Sequence, residues 1–363
     1  MTSIRYIFTK NRMFFIMLMF TIFINDSHTN QVIIKNEQLI NSERIYDNQS
    51  LLLLEGGRFI IDEDGLLIIK NSHIDITVSQ SNSFFVLAKA GKLILENSDI
   101  QVRTQSIPAN SQQSAAYYLI RSKNGTLIIN KNKFKSESIH TIGLMEAREE
   151  LSLSSEIEST HYVISSNTIQ NFHGGIYFIK TATGLIENNS FEFTSFGNIV
   201  ILGSNNFTIR NNKILFPGRF SVGDGITLAS SKNITIENNQ ISNGSCYGIQ
   251  LIGCQDIKIT NNTIVDGITY AVYISSTAQE LQIDKKQQAQ FIIDNPLIVN
   301  SNIVIDHNYL GQNRYAIAGD EVSYLNVQNN HIVQKFNRDD LRAFWTNNKY
   351  SPFQPRSATA VIK

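Results

Sequence analysis

The chain has 363 residues, of which 42% are hydrophobic and 10% aromatic, so it is not a disordered chain and can form a continuous hydrophobic core. Its 31 basic and 31 acidic residues give a formal net charge of +0. Such a balance provides no broad positive field for nucleic acid or an anionic membrane surface. We therefore expect no nucleic-acid partner.

Residues 1–29 are predicted to be a secretory signal peptide. Basic residues precede an apolar run from Met13 to Ile24 that only Thr21 interrupts. A membrane-spanning helix needs roughly 20 apolar residues, so the run is short for a permanent anchor. The residues that follow it, Asn25 to Asn30, contain no A-x-A cleavage pattern, and the cut site stays open. We expect an exported protein, periplasmic or extracellular, with no stable membrane span after signal removal.

A short phrase, apolar-x-apolar-x-x-Asn-x-apolar, recurs through the C-terminal two thirds of the chain. The Asn residues of successive copies follow one another at steps of 22, 23, 27, 23, 46 and 22 residues, and we interpret the 46 as two steps of 23. This period is typical of a β-solenoid, whose stacked coils share one core and place their bend Asn residues in a hydrogen-bonded ladder. The predicted ladder positions are Asn167, Asn189, Asn212, Asn239, Asn262, Asn308 and Asn330, preceded by looser copies at Ser72, Ser98 and Asn132.

The remaining segments are assigned by their position relative to the repeats. Residues 30–60 are predicted to be an N-terminal cap and first coil, 61–335 the solenoid of about ten coils, and 336–363 a C-terminal cap or tail. Three insertions interrupt the coils. Residues 104–116 read as a surface loop. Residues 146–158, together with the string LMEAREEL that begins at Leu144, read as a short helix. Residues 277–300 read as either a partial coil with a polar loop or a lateral excursion.

The only two cysteines, Cys246 and Cys254, flank one predicted strand. An extended strand of five or six residues spans roughly 16–20 Å, which is too far for a disulfide between its ends. We predict two buried free thiols.

Each regular coil has a second strand whose middle residue is predicted to face outward, because side chains alternate along a strand. These residues would form an exposed column, one per coil: Tyr177, Val200, Thr227, Gln250 and Tyr273. Just before this column stand Asp224, Tyr247, Tyr270 and Tyr315. Tyrosine faces interleaved with polar groups suit an extended glycan. The alternative is that the tyrosines only cover a pleated surface, with Tyr247 and Tyr270 turned into the core.

The repeats, for example NITIENNQISNGSCYGIQLIGCQDIKITNNTI, resemble the right-handed parallel β-helix (pectate-lyase-like) superfamily over about residues 50–335. Its members include polysaccharide lyases, polygalacturonases, mannuronan C5-epimerases and NosD-type periplasmic proteins, and the likeness is nearest in style to the last two. The resemblance implies an all-β right-handed parallel β-helix. The paired-Asp pattern of the polygalacturonases is reduced here to Asp224 in VGDGI, and the DPHD signature of the epimerases is absent.

The resemblance therefore leaves activity open. If the protein is catalytic, elimination or epimerisation at a uronate needs a cation or acid to neutralise the carboxylate, a base and an acid. We assign these roles to Arg219, Asp224, Tyr247 and Tyr270, and substrate binding to Tyr177, Thr227, Gln250, Tyr273 and Tyr315.

The predicted function is binding or modification of an extracytoplasmic, uronate-containing polysaccharide. The alternative is a non-catalytic surface module, an adhesin or scaffold that docks a glycan or protein. We expect no metal cofactor. A calcium site would require clustered carboxylates, for which Asp224 with Asp256 or Asp266 are the candidates.

Overall fold

The described part of the chain forms short β-strands that pair in three long parallel sheets. The structure, a computed structural model, describes residues 31–78, 84–104, 118–137, 142–149, 162–217, 223–276, 299–319 and 322–333. Each coil contributes one strand in turn to sheets A, B and C, so these residues form eleven coils and one further strand. The predicted all-β parallel β-helix is confirmed, with eleven coils where about ten were predicted.

Sheet A consists of β1 (Gln31–Ile34), β4 (Ser50–Leu53), β7 (His73–Val78), β10 (Asp99–Thr104), β13 (Lys133–Ser136), β16 (Thr168–Gln170), β19 (Ser190–Glu192), β22 (Lys213–Leu215), β25 (Gln240–Ser242), β28 (Thr263–Val265), β31 (Tyr309–Gly311) and β34 (His331–Val333). Sheet B consists of β2 (Glu37–Ile40), β5 (Arg58–Ile61), β8 (Val86–Lys89), β11 (Tyr118–Lys123), β14 (Gly143–Arg148), β17 (Gly174–Ile179), β20 (Ile199–Leu202), β23 (Ile226–Ala229), β26 (Ile249–Ile252), β29 (Tyr270–Ser275) and β32 (Tyr315–Gly319). Sheet C consists of β3 (Glu43–Asp47), β6 (Leu66–Lys70), β9 (Lys92–Glu96), β12 (Thr126–Asn130), β15 (Tyr162–Ser165), β18 (Gly184–Glu187), β21 (Asn205–Arg210), β24 (Lys232–Glu237), β27 (Gln255–Thr260), β30 (Asn300–Asp306) and β33 (Val322–Gln328).

The hydrophobic core fills the space that the three sheets enclose. In β6, Leu67 and Ile69 are fully buried while Ile68 between them is partly exposed, as expected when alternate side chains of a strand face inward. Because the strands pair in register, similar apolar side chains stack on one another in successive coils. In sheet B, for example, Ile176, Ile199, Ile226, Ile249 and Val272 form one fully buried column.

The predicted ladder lies at the bend from sheet C to sheet A and is confirmed. At Asn212, the side-chain oxygen accepts from both the backbone N–H and the Nδ2 of Asn189, each at 3.0 Å. The Asn212 Nδ2 donates to the Ile186 carbonyl at 2.9 Å and to Asn239 Oδ1 at 3.0 Å. The looser copies continue the ladder, since the backbone N–H of Ser72 donates to Ser98 Oγ at 3.2 Å. The ladder therefore satisfies polar groups that the bend would otherwise bury without partners.

The residue before each rung adopts a left-handed backbone conformation, for example Asn211 with φ 55° and Asn238 with φ 55°. Asparagine tolerates this region better than most residues, because its short polar side chain bonds locally. Asparagine is thus favoured at the first bend position because it tolerates the left-handed conformation, and at the second because its amide forms the ladder.

Two predictions about the insertions are wrong. The string LMEAREEL does not begin a helix, because its first five residues lie in β14, which pairs with β11 on one side and β17 on the other. The pairing decides the conformation over the helix propensity of the sequence. The 46-residue step is not two coils, since β27 pairs directly with β30 and Asn262 bonds directly to Asn308. The additional residues lie between β29 and β30, in a segment outside the described ranges.

One further prediction is confirmed, and others concern residues that the structure does not describe. Cys246 and Cys254 are both free and buried, as predicted. Burial raises the pKa of the Cys254 thiol to about 12, so it is a poor nucleophile near neutral pH. The predicted signal peptide, most of the predicted surface loop and the predicted C-terminal tail lie outside the described residues. Among those described, no helix is long and apolar enough to cross a membrane.

Candidate functional site

The outer face of sheet B carries two neighbouring columns of side chains that run across successive coils. We call the column at the start of the strands the leading column: Tyr118, Gly143, Gly174, Gly197, Asp224, Tyr247, Tyr270 and Tyr315. We call the column three residues later the central column: Arg121, Glu146, Tyr177, Val200, Thr227, Gln250 and Tyr273. The predicted alignment of Tyr177, Val200, Thr227, Gln250 and Tyr273 in one column is therefore confirmed. Four further residues singled out in the sequence align in the leading column: Asp224, Tyr247, Tyr270 and Tyr315.

The predicted exposure of the central column is wrong. Tyr177 is 8% exposed, Val200 and Thr227 5% and Gln250 0%, and of the five residues predicted to be exposed only Tyr273 is half-buried. The side chains do leave the outer face, but they pack on one another and on their neighbours. Tyr118, Tyr177, Val200, Leu202, Ala229 and Ile252 form a second apolar cluster outside the main core.

Glycines in the leading column make room for tyrosine rings. A Cβ on Gly143 would lie 2.4 Å from Tyr118 Cε1, and a Cβ on Gly174 would lie 3.1 Å from Tyr177 Cε2. The Tyr177 hydroxyl lies over the next glycine as well, 3.7 Å from a Cβ built on Gly197. Tyr177 thus lies across the column towards the position that Asp224 occupies one coil further on. This packing was not predicted from the sequence, although the glycines recur at one register position.

Asp224 is a buried carboxylate held by two hydrogen bonds. It is 2% exposed. Its Oδ2 accepts from the Thr227 hydroxyl at 2.8 Å, and its Oδ1 accepts from the backbone N–H of Tyr247 at 3.2 Å. Its carbonyl oxygen accepts from the Nδ2 of Asn198 at 3.0 Å. Hydrogen bonds to both carboxylate oxygens fix the direction of the side chain.

Four tyrosines continue the two columns beyond Asp224 as one group of rings. Tyr247 stacks on Tyr273 with ring centroids 4.7 Å apart, and Tyr270 stacks on Tyr315 at 4.8 Å. The two stacks meet where Tyr270 and Tyr273 lie 5.0 Å apart. Arg314 lies over the Tyr315 ring at 5.4 Å. These contacts place Tyr247 and Tyr270 on the outer face, so the alternative that they turn into the core is excluded.

Gln250 lies beside this group and is the least satisfied of these side chains. It is fully buried, and neither its amide nitrogen nor its amide oxygen has a hydrogen-bond partner among the residues that the structure describes. Leaving a buried amide unsatisfied costs about 1–3 kcal/mol. The column therefore holds one buried donor group and one buried acceptor group that a water molecule inside the fold can satisfy.

The phenol of Tyr177 is held in its neutral form. Burial, followed by the charges of Asp224 and then Glu146, raises the pKa of Tyr177 well above its usual value. Burial likewise raises the pKa of Tyr118, with Tyr177 and Glu146 adding to the effect. Tyr177 thus retains its proton at neutral pH and is a donor, not a base.

This shift predicts an alkaline loss of stability. A group whose pKa is raised in the folded state stabilises the fold fully below its unfolded pKa, about 10 for tyrosine, and this contribution is lost as the pH rises above that value. We expect Tyr177→Phe to make the decline in melting temperature above pH 10 less steep. The measurement is thermal unfolding followed by circular dichroism between about pH 8 and pH 12. Tyr324→Phe is the control, because Tyr324 is 86% exposed; equal pH profiles for both variants would refute the assignment.

The other predicted site residues are less well placed. Arg219 lies outside the described residues. Asp266 lies at the bend from sheet A to sheet B with φ 57°, as expected for a turn residue, and burial raises its pKa. Asp256 lies on β27 of sheet C, where it pairs with Lys232 at 3.7 Å. In the part of the chain that the structure describes, no three His, Cys, Asp or Glu residues could together hold a metal ion.

Comparison with known proteins agrees with this architecture. The family model described as a right handed beta helix region matches residues 156–288. The chain is a right-handed parallel β-helix. The match lies on coils whose repeated residues build the core and the ladder, so it gives the fold and no activity. A search of curated proteins finds no match to this sequence.

Solved structures with a similar β-helix include enzymes and an adhesin. The periplasmic alginate epimerase AlgG shares 14% identity over 84% of this chain and 85% of its own, with a TM-score of 0.42. A mannuronic acid specific polysaccharide family 6 lyase from human gut microbiota shares 13% identity over 85% of this chain and 77% of its own, with a TM-score of 0.49. The Streptococcus pneumoniae surface protein and adhesin PfbA shares 13% identity over 84% of this chain and 89% of its own, with a TM-score of 0.32.

Proposed function

We propose that this protein binds an extended polysaccharide along the outer face of sheet B, across successive coils, outside the cytoplasm. The observation that carries the proposal is the group of four tyrosine rings beside an unsatisfied amide, Gln250, and a fixed carboxylate, Asp224. Sugar rings present flat apolar faces edged with hydroxyl groups, so they need stacking surfaces and nearby donors and acceptors together. The N-terminal sequence, with its basic and then apolar residues, supports export.

The geometry of the columns suits a chain-like ligand. Strands of neighbouring coils lie about 4.8 Å apart, so the column repeats its contacts at a constant short interval along the helix axis. Tyr247, Tyr273 and Tyr315 are half-buried, so each ring retains accessible surface. Fixed rings lose little conformational entropy on binding, which favours affinity.

This proposal predicts that single ring truncations weaken binding. We expect Tyr247→Ala and Tyr270→Ala each to reduce affinity for the bound polysaccharide about tenfold or more. The first variant loses accessible stacking area, and the second removes the ring, itself 8% exposed, against which Tyr273 and Tyr315 pack. The measurement is isothermal titration calorimetry with polysaccharides selected from a panel of acidic and neutral chains. Tyr309→Ala is the matched control, since Tyr309 is 40% exposed and stacks on His331 on sheet A. Unchanged affinity in the first two variants, or an equal loss in the control, would contradict the proposal.

A second candidate, uronate elimination or epimerisation, is favoured by the relation between Asp224 and Tyr177. The charge of Asp224 contributes to the raised pKa of Tyr177, so the two groups lie within electrostatic range. An ionised carboxylate can take the C5 proton of a uronate while a neutral phenol donates one. In elimination, the C5–H and C4–O bonds break, a C4–C5 double bond forms, and the leaving oxygen receives the donated proton. Arg219 remains the proposed cation for the uronate carboxylate.

Catalysis is tested separately from binding. We expect uronate polysaccharides incubated with the protein to gain either the ultraviolet absorbance of unsaturated uronates, for a lyase, or deuterium at C5 in deuterated water, for an epimerase. Asp224→Asn should abolish either signal, while the tyrosine rings still bind the polysaccharide with reduced affinity. Binding with an unchanged sugar spectrum would instead establish the non-catalytic surface module.

A further inference from the structure

A cation adjoins the group of four tyrosine rings on the outer face of sheet B. Arg314 lies at the bend that leads into β32, directly before Tyr315. Its guanidinium lies over the Tyr315 ring, 5.4 Å from the ring centroid, and Tyr315 stacks on Tyr270. Arg314 and Tyr315 are both half-buried, so each keeps accessible surface. The proposed polysaccharide site thus ends at a positive charge.

The backbone around Arg314 is held by its neighbour Asn313, which is 4% exposed. The Nδ2 of Asn313 donates to the carbonyls of Ile264 at 2.8 Å and Gly311 at 3.1 Å, and its Oδ1 accepts from the Gly267 N–H at 3.0 Å. The backbone N–H of Arg314 donates to the Gly267 carbonyl at 3.2 Å. These bonds tie the bend to the preceding coil, so the base of the Arg314 side chain has a fixed position.

Arg314 lacks the acidic partner that the other half-buried arginines of the described ranges have. A glutamate lies 2.8 to 3.6 Å from each of those three, which are Arg58, Arg121 and Arg210. No Asp or Glu among the described residues forms such a pair with Arg314. Arg44 and Arg148 also have no such pair, but both are exposed, so water hydrates their charges. Arg314 is therefore a half-buried cation whose charge no described carboxylate balances.

The acidic residues nearest to it along sheet B leave this charge uncompensated. Asp266 lies at the equivalent bend of the preceding coil. Burial raises the pKa of Asp266, and no adjacent cation offsets that effect. Asp224 lies three coils away, roughly 14 Å along the helix axis. That separation exceeds the screening length of about 8 Å at physiological ionic strength. An anionic ligand is therefore needed to balance Arg314.

We propose that Arg314 binds a carboxylate group of the polysaccharide, so that the site selects acidic chains over neutral ones. The inference rests on the binding site proposed above and names the substrate class of that site. A guanidinium is planar and presents its N–H donors as a fork that matches the two oxygens of a carboxylate. Its position over an aromatic ring orients it and partly removes it from water, where charge-assisted hydrogen bonds are stronger.

The distance along the axis separates this role from the chemistry at Asp224. Three coils lie between Arg314 and Asp224, so the two residues contact different sugar units of one chain. Arg314 is therefore a specificity-determining residue, whereas the cation proposed for the reacting uronate is Arg219.

Isothermal titration calorimetry tests this role with two matched pairs of polymers. Polygalacturonate and polymannuronate are each compared with the same polymer after its carboxyl groups have been reduced to alcohols, which removes the charge and keeps the sugar backbone. We expect the protein to bind an acidic form about tenfold or more tightly than its reduced form. Arg314→Gln should remove this preference and leave the affinity for the reduced form unchanged. Arg314→Lys should recover part of it, because lysine keeps the charge and loses the fork.

Arg148→Gln is the matched control, since Arg148 is an exposed arginine on β14, six strands from β32 in sheet B. It should leave the preference unchanged. The inference is overturned if acidic and reduced polymers bind equally, if Arg314→Gln keeps the preference, or if Arg148→Gln loses it to the same extent. Reduced polymers that bind with a dependence on Tyr247, without any acidic preference, would leave the polysaccharide site standing and remove only the role of Arg314. Binding of neither form would overturn both.

Discussion

Asn212→Ala should be among the most destabilising single substitutions in this protein, at about 3–5 kcal/mol. The side chain accepts two hydrogen bonds from Asn189 and donates to the Ile186 carbonyl and to Asn239. All of these groups are buried, and alanine cannot replace any of the bonds. Each abandoned buried group costs about 1–3 kcal/mol, and the space left by the amide adds to the loss. Urea unfolding followed by circular dichroism measures the total effect.

Two further variants separate the ladder from a general packing effect. Asn212→Ser should recover part of the stability, because serine rungs occur naturally in this chain and the Ser98 hydroxyl accepts from Ser72. Asn330→Ala should cost far less than Asn212→Ala, since Asn330 is the half-buried last rung and water can replace its bonds. If all three variants lose the same free energy, the ladder does not act as described. Hydrogen exchange at the Asn189 amide would show whether the loss is local to that bend.

The repeat made the fold predictable from sequence, since one period fixes strand, bend and register together. The rungs from Ser72 to Asn330 lie where the sequence placed them. Segments without the repeat were harder to predict from the sequence. The string LMEAREEL has residues that favour helices, and only its pairing with β11 and β17 reveals the strand. The step between Asn262 and Asn308 equals two periods by coincidence of length, and the sequence alone offers no way to distinguish an insertion from a coil.

The candidate site was predictable in register but not in burial. Alternation correctly places Thr227 and Gln250 on the outer face, because it depends only on strand geometry. Exposure depends on what packs above that face, and this is a tertiary property that no local pattern encodes. The partnership of Asp224 with Thr227 also joins two residues that the sequence assigned to different roles. The three-residue spacing of Asp224 and Thr227, at the start of β23, is visible in the sequence. That this spacing brings the hydroxyl to the carboxylate follows only from the backbone conformation.

Gln250→Leu should move stability and binding in opposite directions. Leucine keeps the approximate size of the side chain and removes an amide that has no partner, so we expect the free energy of unfolding to rise by about 1–3 kcal/mol. The same change removes a donor and an acceptor that a polysaccharide reaches once the side chains covering Gln250, which is 0% exposed, move aside. We therefore expect affinity to fall about tenfold, or roughly 1.4 kcal/mol. Urea unfolding and calorimetry on the same preparation measure the two effects.

Thr227→Val is the matched control, one coil away in the same column. It also exchanges a polar side chain for an apolar one of similar size, but it deprives the buried Asp224 carboxylate of the hydroxyl that donates to it at 2.8 Å. The free energy of unfolding should therefore fall by about 1–3 kcal/mol instead of rising. A loss of stability in Gln250→Leu as large as in Thr227→Val would mean that bound water already satisfies the amide. A gain in stability with unchanged affinity would show that the amide takes no part in binding. If Gln250→Leu raises the free energy of unfolding and weakens binding while Thr227→Val lowers the free energy of unfolding, the amide of Gln250 destabilises the fold and contributes to ligand binding.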